Sequence, residues 1–495
     1  MQWGRVRRIT ALSIGVLLLA TACAGQTAEL RPPAAGADWG ECEDVDRVRG
    51  TTLECAMITV PADWNAPDNG EKMEIALLRA RNDRQTERIG SLVINPGGPG
   101  GSGVDFAAYL ADTLPTEILS RFDIVGFDPR GVGRSTPVDC ISDADKDAIN
   151  GFAPDPVSDA DFNALVALQN QAVSDCYTAY GDGLARYASV QAAHDIDAIR
   201  AAVGDEKLTY LGYSYGTLLG SIYAQQNGAK LRAAVLDGAV DPGLDDVATS
   251  EGQAAAFELA FDNFAAWCTE RGSTCELGPN PRKYVMDLLA KATTSPAVSN
   301  GRQATSGWIL TAVIAALYDE SAWPYLSAGL SEAAAGDPSL VFQIADGYVG
   351  RSPSGEYDNS TDAFNAVNCS DDATVETAES VRGLQTTWRA SYPMFGAPLA
   401  TTLLACALWQ APRDPYPTGA STGGPTIVVV GTKGDPATPY ANTAKLAAQL
   451  GTGEVLTWEG EGHTAYPKTP CIADAVNGYL TDLTVPPPGT VCPAR

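Results

Sequence analysis

A serine set between glycines stands at Gly212-Tyr213-Ser214-Tyr215-Gly216, directly after the apolar run 208–211 and before a helical pattern over 217–226. Where a strand runs straight into a helix through such a turn, the serine hydroxyl is lifted out of the fold. Glycines are needed where side chains would strike the neighbouring strand and helix. A tight turn without chemistry is the alternative, and the strand–turn–helix context is what argues against it. A nucleophilic serine requires a base, and the chain has 2 histidines. His194 precedes Ser214 inside a helical pattern and reads as a surface helix residue. His463 follows the apolar run 455–458 in Glu459-Gly460-Glu461-Gly462-His463-Thr464, a glycine-flanked loop that can present its ring. The acid that would orient the imidazole is Asp435, in Thr432-Lys433-Gly434-Asp435-Pro436-Ala437-Thr438-Pro439 after the run 426–431. Alone, Asp435 is an ordinary turn former. Three such groups in the order Ser214, Asp435, His463, each just beyond a strand-like run, are hard to attribute to chance.

Transition-state charge must also be met. The loop Pro96-Gly97-Gly98-Pro99-Gly100-Gly101-Ser102-Gly103 follows the run 91–95 and can aim a backbone N–H at an oxyanion, with the Tyr215 N–H as its partner. Gly98 is the favoured donor and Gly97 the alternative. A phosphate-binding loop fits worse, because no Gly-Lys-Ser/Thr follows and the spacing is not GxGxxG. Two histidines, with no HExxH or CxxC, leave no basis for a multi-histidine zinc site. Neither a metal nor a cofactor is expected. With 33 Lys+Arg against 60 Asp+Glu and a net charge of −27 over 495 residues, the chain is a poor binder of nucleic-acid phosphates.

These groups must be held by a scaffold. Strand-like segments occur at 53–60, 72–80, 91–95, 122–127, 208–212, 233–237, 426–431 and 455–458. The later ones are continuous Val/Ile/Leu runs of the kind buried on both faces of a parallel sheet. Helical periodicity at 192–203 and 217–226 alternates with them, which predicts an α/β fold with a mostly parallel sheet of about eight strands. Between 237 and 426 the pattern breaks. Helical segments at 253–268, 309–318 and 326–335 read as an inserted, mainly helical cap, and 159–180 as a smaller helical excursion. The predicted division is a core at 41–240, a cap at 241–400 and a returning core at 401–495.

Residues 1–22 combine Arg5, Arg7 and Arg8, an apolar run 9–19 and Ala20-Thr21-Ala22, the pattern of an export signal. The run is too short to span a bilayer as a helix. Leu18-Leu19-Ala20-Thr21-Ala22-Cys23 resembles a bacterial lipobox, which would put a lipid on Cys23 and make the protein a cell-surface lipoprotein; free secretion is the alternative. Residues 23–40 read as a tether. The other cysteines are Cys42, Cys55, Cys140, Cys176, Cys268, Cys275, Cys369, Cys406, Cys471 and Cys492. An even set in an exported chain predicts disulfides, most simply between sequence neighbours.

Taken together, Asn95-Pro96-Gly97-Gly98-Pro99-Gly100, Gly126-Phe127-Asp128-Pro129-Arg130-Gly131-Val132-Gly133-Arg134-Ser135, Gly212–Thr217, Gly434–Pro439 and Gly462-His463 resemble the α/β-hydrolase superfamily. More narrowly, the chain is similar to the secreted actinobacterial tripeptidyl aminopeptidases, relatives of proline iminopeptidase. Proline iminopeptidases have histidine where this chain has Pro96, a departure that leaves the glycine donors intact. The resemblance implies a serine peptidase acting near the free N-terminus of peptides, with the cap blocking internal cleavage. Thr438 would orient the triad, and a cap carboxylate, Asp371 or Asp372 beside Cys369, would bind the substrate ammonium. The other readings are a carboxylesterase or amidase on the same fold, and a non-catalytic surface lipoprotein that binds a solute or partner. Peptide or protein is the expected partner, with membrane contact only through the N-terminal lipid. Oligomeric state is not legible.

Overall fold

The computed structural model describes residues 36–494. Strands β1 (Gly40–Glu41), β2 (Thr51–Pro61), β3 (Lys72–Asn82), β4 (Gly90–Asn95), β5 (Phe122–Phe127), β6 (Leu208–Tyr213) and β7 (Leu231–Asp237) come first. A long helical segment carrying the small hairpin β8 (Ala297–Ser299) and β9 (Arg302–Ala304) follows. Then come β10 (Ile427–Gly434), β11 (Gly453–Glu461) and β12 (Thr490–Cys492). The main sheet has ten strands in the order β1-β2-β3-β5-β4-β6-β7-β10-β11-β12. Pairing is antiparallel from β1 to β5 and parallel from β5 through β12. This is an α/β-hydrolase fold.

All eight predicted strands are present. The expected count of about eight falls short because β1 and β12, two and three residues long, are too brief to show a period. Burial follows the sequence logic. Strands β4, β5 and β6 are buried at every residue, as central strands covered on both faces are, whereas β2 alternates at the antiparallel edge.

The insertion between β7 and β10 is helical from Asp246–Arg271 to Leu404–Ala407, with its own core around Phe261, Phe264, Trp308, Trp323 and Phe395. Helix Asp159–Tyr180 belongs to this layer. Its Phe162 and Leu165 pack with Val381, Trp388 and Leu404, and its Cys176 is bonded to Cys140. A fully buried ion pair, Lys146 with Asp362 at 2.6 Å, ties the segment before it to the cap. The other disulfides are Cys42–Cys55, Cys268–Cys275, Cys369–Cys406 and Cys471–Cys492, so every bridge joins sequence neighbours.

One expectation is corrected. His194 lies on the predicted helix, observed at Ser189–Ala202, yet its ring is half-buried 5.6 Å from Trp64, and burial lowers its pKa. That helix faces inward because Asp195 forms a buried bidentate pair with Arg130 at 2.7 Å. Arg130 also donates to the carbonyls of Ala62 and Arg186. Residues 1–22, Cys23 and most of the predicted tether lie outside the described residues. Among the described residues no helix is long and apolar enough to cross a membrane.

Candidate active site

Ser214 sits between β6 and helix Tyr215–Asn227 at φ 55°, ψ −125°. Few non-glycine residues hold a positive φ, and such strain is maintained only where the surroundings over-determine it. Here the Ser214 N–H donates to the Asp237 carbonyl at 2.8 Å, and Thr217 Oγ1 donates to the Ser214 carbonyl at 2.6 Å. The glycines of the motif are steric necessities. A Cβ on Gly212 would lie 2.3 Å from the Gly216 carbonyl oxygen, and one on Gly216 would lie 2.8 Å from that of Asn95.

The glycine loop after β4 lies directly over this turn: a Cβ on Gly97 would be 2.8 Å from Ser214 Cβ and 2.9 Å from Tyr215 N. Buried Asn95 accepts the Gly97 N–H at 3.0 Å. That bond occupies the Gly97 amide, and no hydrogen bond among the described residues engages the Gly98 amide. The Tyr215 N–H, in the first turn of its helix, has no intrahelical acceptor. Asp128 anchors the far end of the loop. Its carboxylate accepts from Ser102 Oγ (2.6 Å), Val104 N (3.1 Å) and Arg134 N (2.8 Å). Ser102 in turn caps helix Gly103–Thr113. Asp128 was visible in the motif 126–135, but its role required the fold.

Asp435 and His463 follow β10 and β11. Both Asp435 oxygens lie 2.9 Å from His463 Nδ1. The carboxylate also accepts from Ala437 N (2.9 Å), Thr438 N (2.8 Å), Thr438 Oγ1 (2.9 Å) and Thr464 N (3.3 Å). Burial alone would raise the Asp435 pKa, but His463 and these donors outweigh it and hold the carboxyl below its usual range. Thr438 Oγ1 lies 3.3 Å from Nδ1, so the predicted Thr438 does meet both partners. The other ring nitrogen, Nε2, is buried and has no hydrogen-bond partner among the described residues.

Sequence reasoning missed Asp237. Its carboxylate is wholly buried at the end of β7 and accepts from Ala465 N (3.0 Å) and Tyr466 N (2.7 Å), just past His463. Burial pushes its pKa up to about 6, against the pull of those donors. The residue therefore touches both halves of the site, taking the Ser214 N–H on its carbonyl and the His463 loop on its side chain. An acid closing a strand run was the available signal.

On the cap side, Asp371 accepts from Ser189 N (2.7 Å) and Ser189 Oγ (2.5 Å). That hydroxyl is 2.6 Å from the Tyr215 phenol. Burial, with Asp246 and Asp414 nearby, pushes Asp371 up to about 8, and burial beside Asp372 pushes Asp246 up to about 7. Asp372 is already paired with Arg413 at 2.5 Å.

The family described as TAP-like protein matches residues 392–492, the stretch that holds Asp435 and His463. Serine protease Hip1 of Mycobacterium tuberculosis is 38% identical over 522 residues, covering 99% of this chain and 97% of that protein. Carboxylesterase B of the same species is 38% identical, covering 95% and 92%. Tripeptidyl aminopeptidase of Streptomyces lividans is 30% identical, covering 92% and 86%. The chain thus belongs to the α/β-hydrolase serine peptidase family that includes Hip1 and the tripeptidyl aminopeptidases, and is a serine hydrolase.

Proposed function

We propose that this protein is an exported serine exopeptidase that releases short, tripeptide-like fragments from free N-termini. Ser214 is the nucleophile, His463 the base, Asp435 its orienting acid, and the Gly98 and Tyr215 amides the oxyanion hole. The observation that carries this reading is convergence on one stretch of backbone. The Asp237 carbonyl takes the Ser214 N–H, while a Cβ on the next residue, Gly238, would lie 3.1 Å from His463 Cε1. The strained serine and the unspent Nε2 therefore flank the same chain segment.

His463 Nε2 takes the Ser214 proton as Oγ attacks the scissile carbonyl, and the oxyanion forms against the two amides. The imidazolium, steadied by Asp435, then protonates the leaving amine. Water, deprotonated by His463, releases the acyl group and restores Ser214. Thr438 keeps the carboxylate and the ring in register.

Asp371, with Asp246 beside it, is the group we assign to the substrate ammonium; Asp372 is neutralised by Arg413. Tyr215 links the two ends of the site, since its amide faces the oxyanion and its phenol reaches the Ser189–Asp371 pair. The relative named tripeptidyl aminopeptidase supports this substrate class. The five disulfides support an oxidising compartment, and with it export by a signal at 1–22; we take Cys23 as the lipid-bearing residue and 23–40 as the tether on the lipobox resemblance alone. We take 41–240 and 401–495 as the core and 241–400 as the cap.

The relative named carboxylesterase B favours esters as a second reading. A fluorophosphonate probe will label the wild type and not Ser214→Ala; unlabelled wild type removes the assignment. Free tripeptide anilides will be cleaved in preference to N-acetylated ones and to short acyl esters. Equal cleavage of free and blocked peptides removes the exopeptidase reading.

A further inference from the structure

The loop that carries His463 is held from two sides, and one of them is the cap. Helix Ser306–Leu317 ends at Tyr318 and Asp319, and this pair runs alongside the loop like a short strand. The His463 N–H donates to the Tyr318 carbonyl at 2.8 Å, and Asp319 and Gly462 form an antiparallel bridge. The Tyr318 ring stands edge-on to the imidazole with centroids 5.2 Å apart, and is itself backed by Phe257 and Tyr348 of the cap.

Two polar links repeat the connection. Lys468 donates to the His463 carbonyl at 2.9 Å and reaches Asp319 at 3.6 Å. Asn263, on cap helix Asp246–Arg271, donates to both oxygens of Glu461 at 3.1 and 3.0 Å. On the opposite side the core supplies Asp435 and Asp237. The imidazole is thus fixed by Asp435 at one nitrogen, while the plane and depth of its ring are set against a residue of the inserted helical layer.

We infer that the cap is a working part of the base as well as a cover over the substrate, and that Tyr318 is a positioning residue for His463. This rests on the reading of His463 as the base. A cap that only sorted substrates would have no need of the backbone of the histidine loop. A cap built into that loop couples its own seating to the readiness of Ser214, because a shift of about 1 Å in a reacting group costs on the order of a hundredfold in rate.

A short ester separates the two roles. 4-Nitrophenyl acetate needs the nucleophile, base and oxyanion hole, and is too small to require the peptide-binding face of the cap. In full-length protein, Tyr318→Ala is expected to lower kcat on this ester by about ten- to a hundredfold with KM within about twofold, and Tyr318→Phe to restore most of the loss. Loss through KM alone, or a wild-type kcat in Tyr318→Ala, overturns the inference. If Tyr318→Ala does not fold, as judged by its melting transition, Tyr318→Leu decides by the same criterion, because it removes the edge-on ring from the imidazole while keeping the apolar cluster filled. Equal ester turnover by wild type and Ser214→Ala would instead overturn the assignment of the nucleophile, a separate failure.

Discussion

The carboxylate assigned to the substrate ammonium makes a pH prediction that can be isolated from the chemistry of the triad. Burial with neighbouring acids lifts Asp371 to about 8, and a peptide α-amine titrates at about 7.7–8.0. At pH 6 about one free enzyme in a hundred carries ionised Asp371, although nearly all substrate is ammonium; at pH 8 about half of the carboxyls are ionised and about a third of the amines remain protonated. The population of carboxylate facing ammonium therefore grows on the order of tenfold between pH 6 and 8, and shrinks above pH 8 as the amine discharges. The assay is the ratio of kcat/KM for free and N-acetylated tripeptide anilides, in which the titration of the common base cancels. Asp371→Asn should lower that ratio by about thirtyfold at pH 8, equivalent to about 2 kcal/mol for loss of a partly desolvated charge pair, and leave it flat with pH. A control accompanies the variant. Because the native state binds the Asp371 proton more tightly than the unfolded chain, its contribution to stability is complete below about pH 4 and is lost as pH rises through 8. The wild-type melting temperature should accordingly fall more steeply across that window than that of Asp371→Asn. A wild-type ratio independent of pH, or an unchanged ratio in a folded variant, refutes the assignment.

Other perturbations test the frame around the site. Arg130→Met strands the buried Asp195 carboxylate and should destabilise the protein by about 3–5 kcal/mol; the double variant with Asp195→Leu should recover much of this in denaturant midpoints. Asp237→Asn keeps the shape but weakens acceptance from Ala465 and Tyr466. It should lower kcat by about tenfold on ester and peptide alike, with little change in KM by steady-state assay.

Local patterns carried far in this chain. Ser214, Asp435 and His463 could be picked out because each follows a largely apolar, strand-like run, and because only one of the two histidines lies in a loop after such a run. The disulfide partners followed from neighbour order. What sequence withheld was contact between distant segments. His194 read as exposed because nothing local reveals that Arg130 and Trp64 close over its helix. Asp237 read as the end of a strand, and Tyr318 as the end of a cap helix; both acquire a role only when the fold brings them to the His463 loop. Nothing local reveals that Arg413, beyond the end of the helical insertion, pairs with Asp372 and not with its neighbour Asp371. The edge strands β1 and β12 were invisible for a simpler reason, since two or three residues carry no alternation.

The disulfides bear on how the molecule is made. Each cysteine among the described residues is bonded to the next one along the chain, with separations of 7 to 37 residues. In an oxidising space entered N-terminus first, which the proposed export would supply, the first unpaired partner among these ten thiols that each one meets is the correct one. Simple oxidation in order of appearance then yields the native set, with no shuffling by an isomerase. No bridge has to wait for the last strands, β10 to β12, to join the sheet, except Cys471–Cys492, which closes within that segment. Four of the five cross-links can be complete, loop by loop, before β10 to β12 join the sheet.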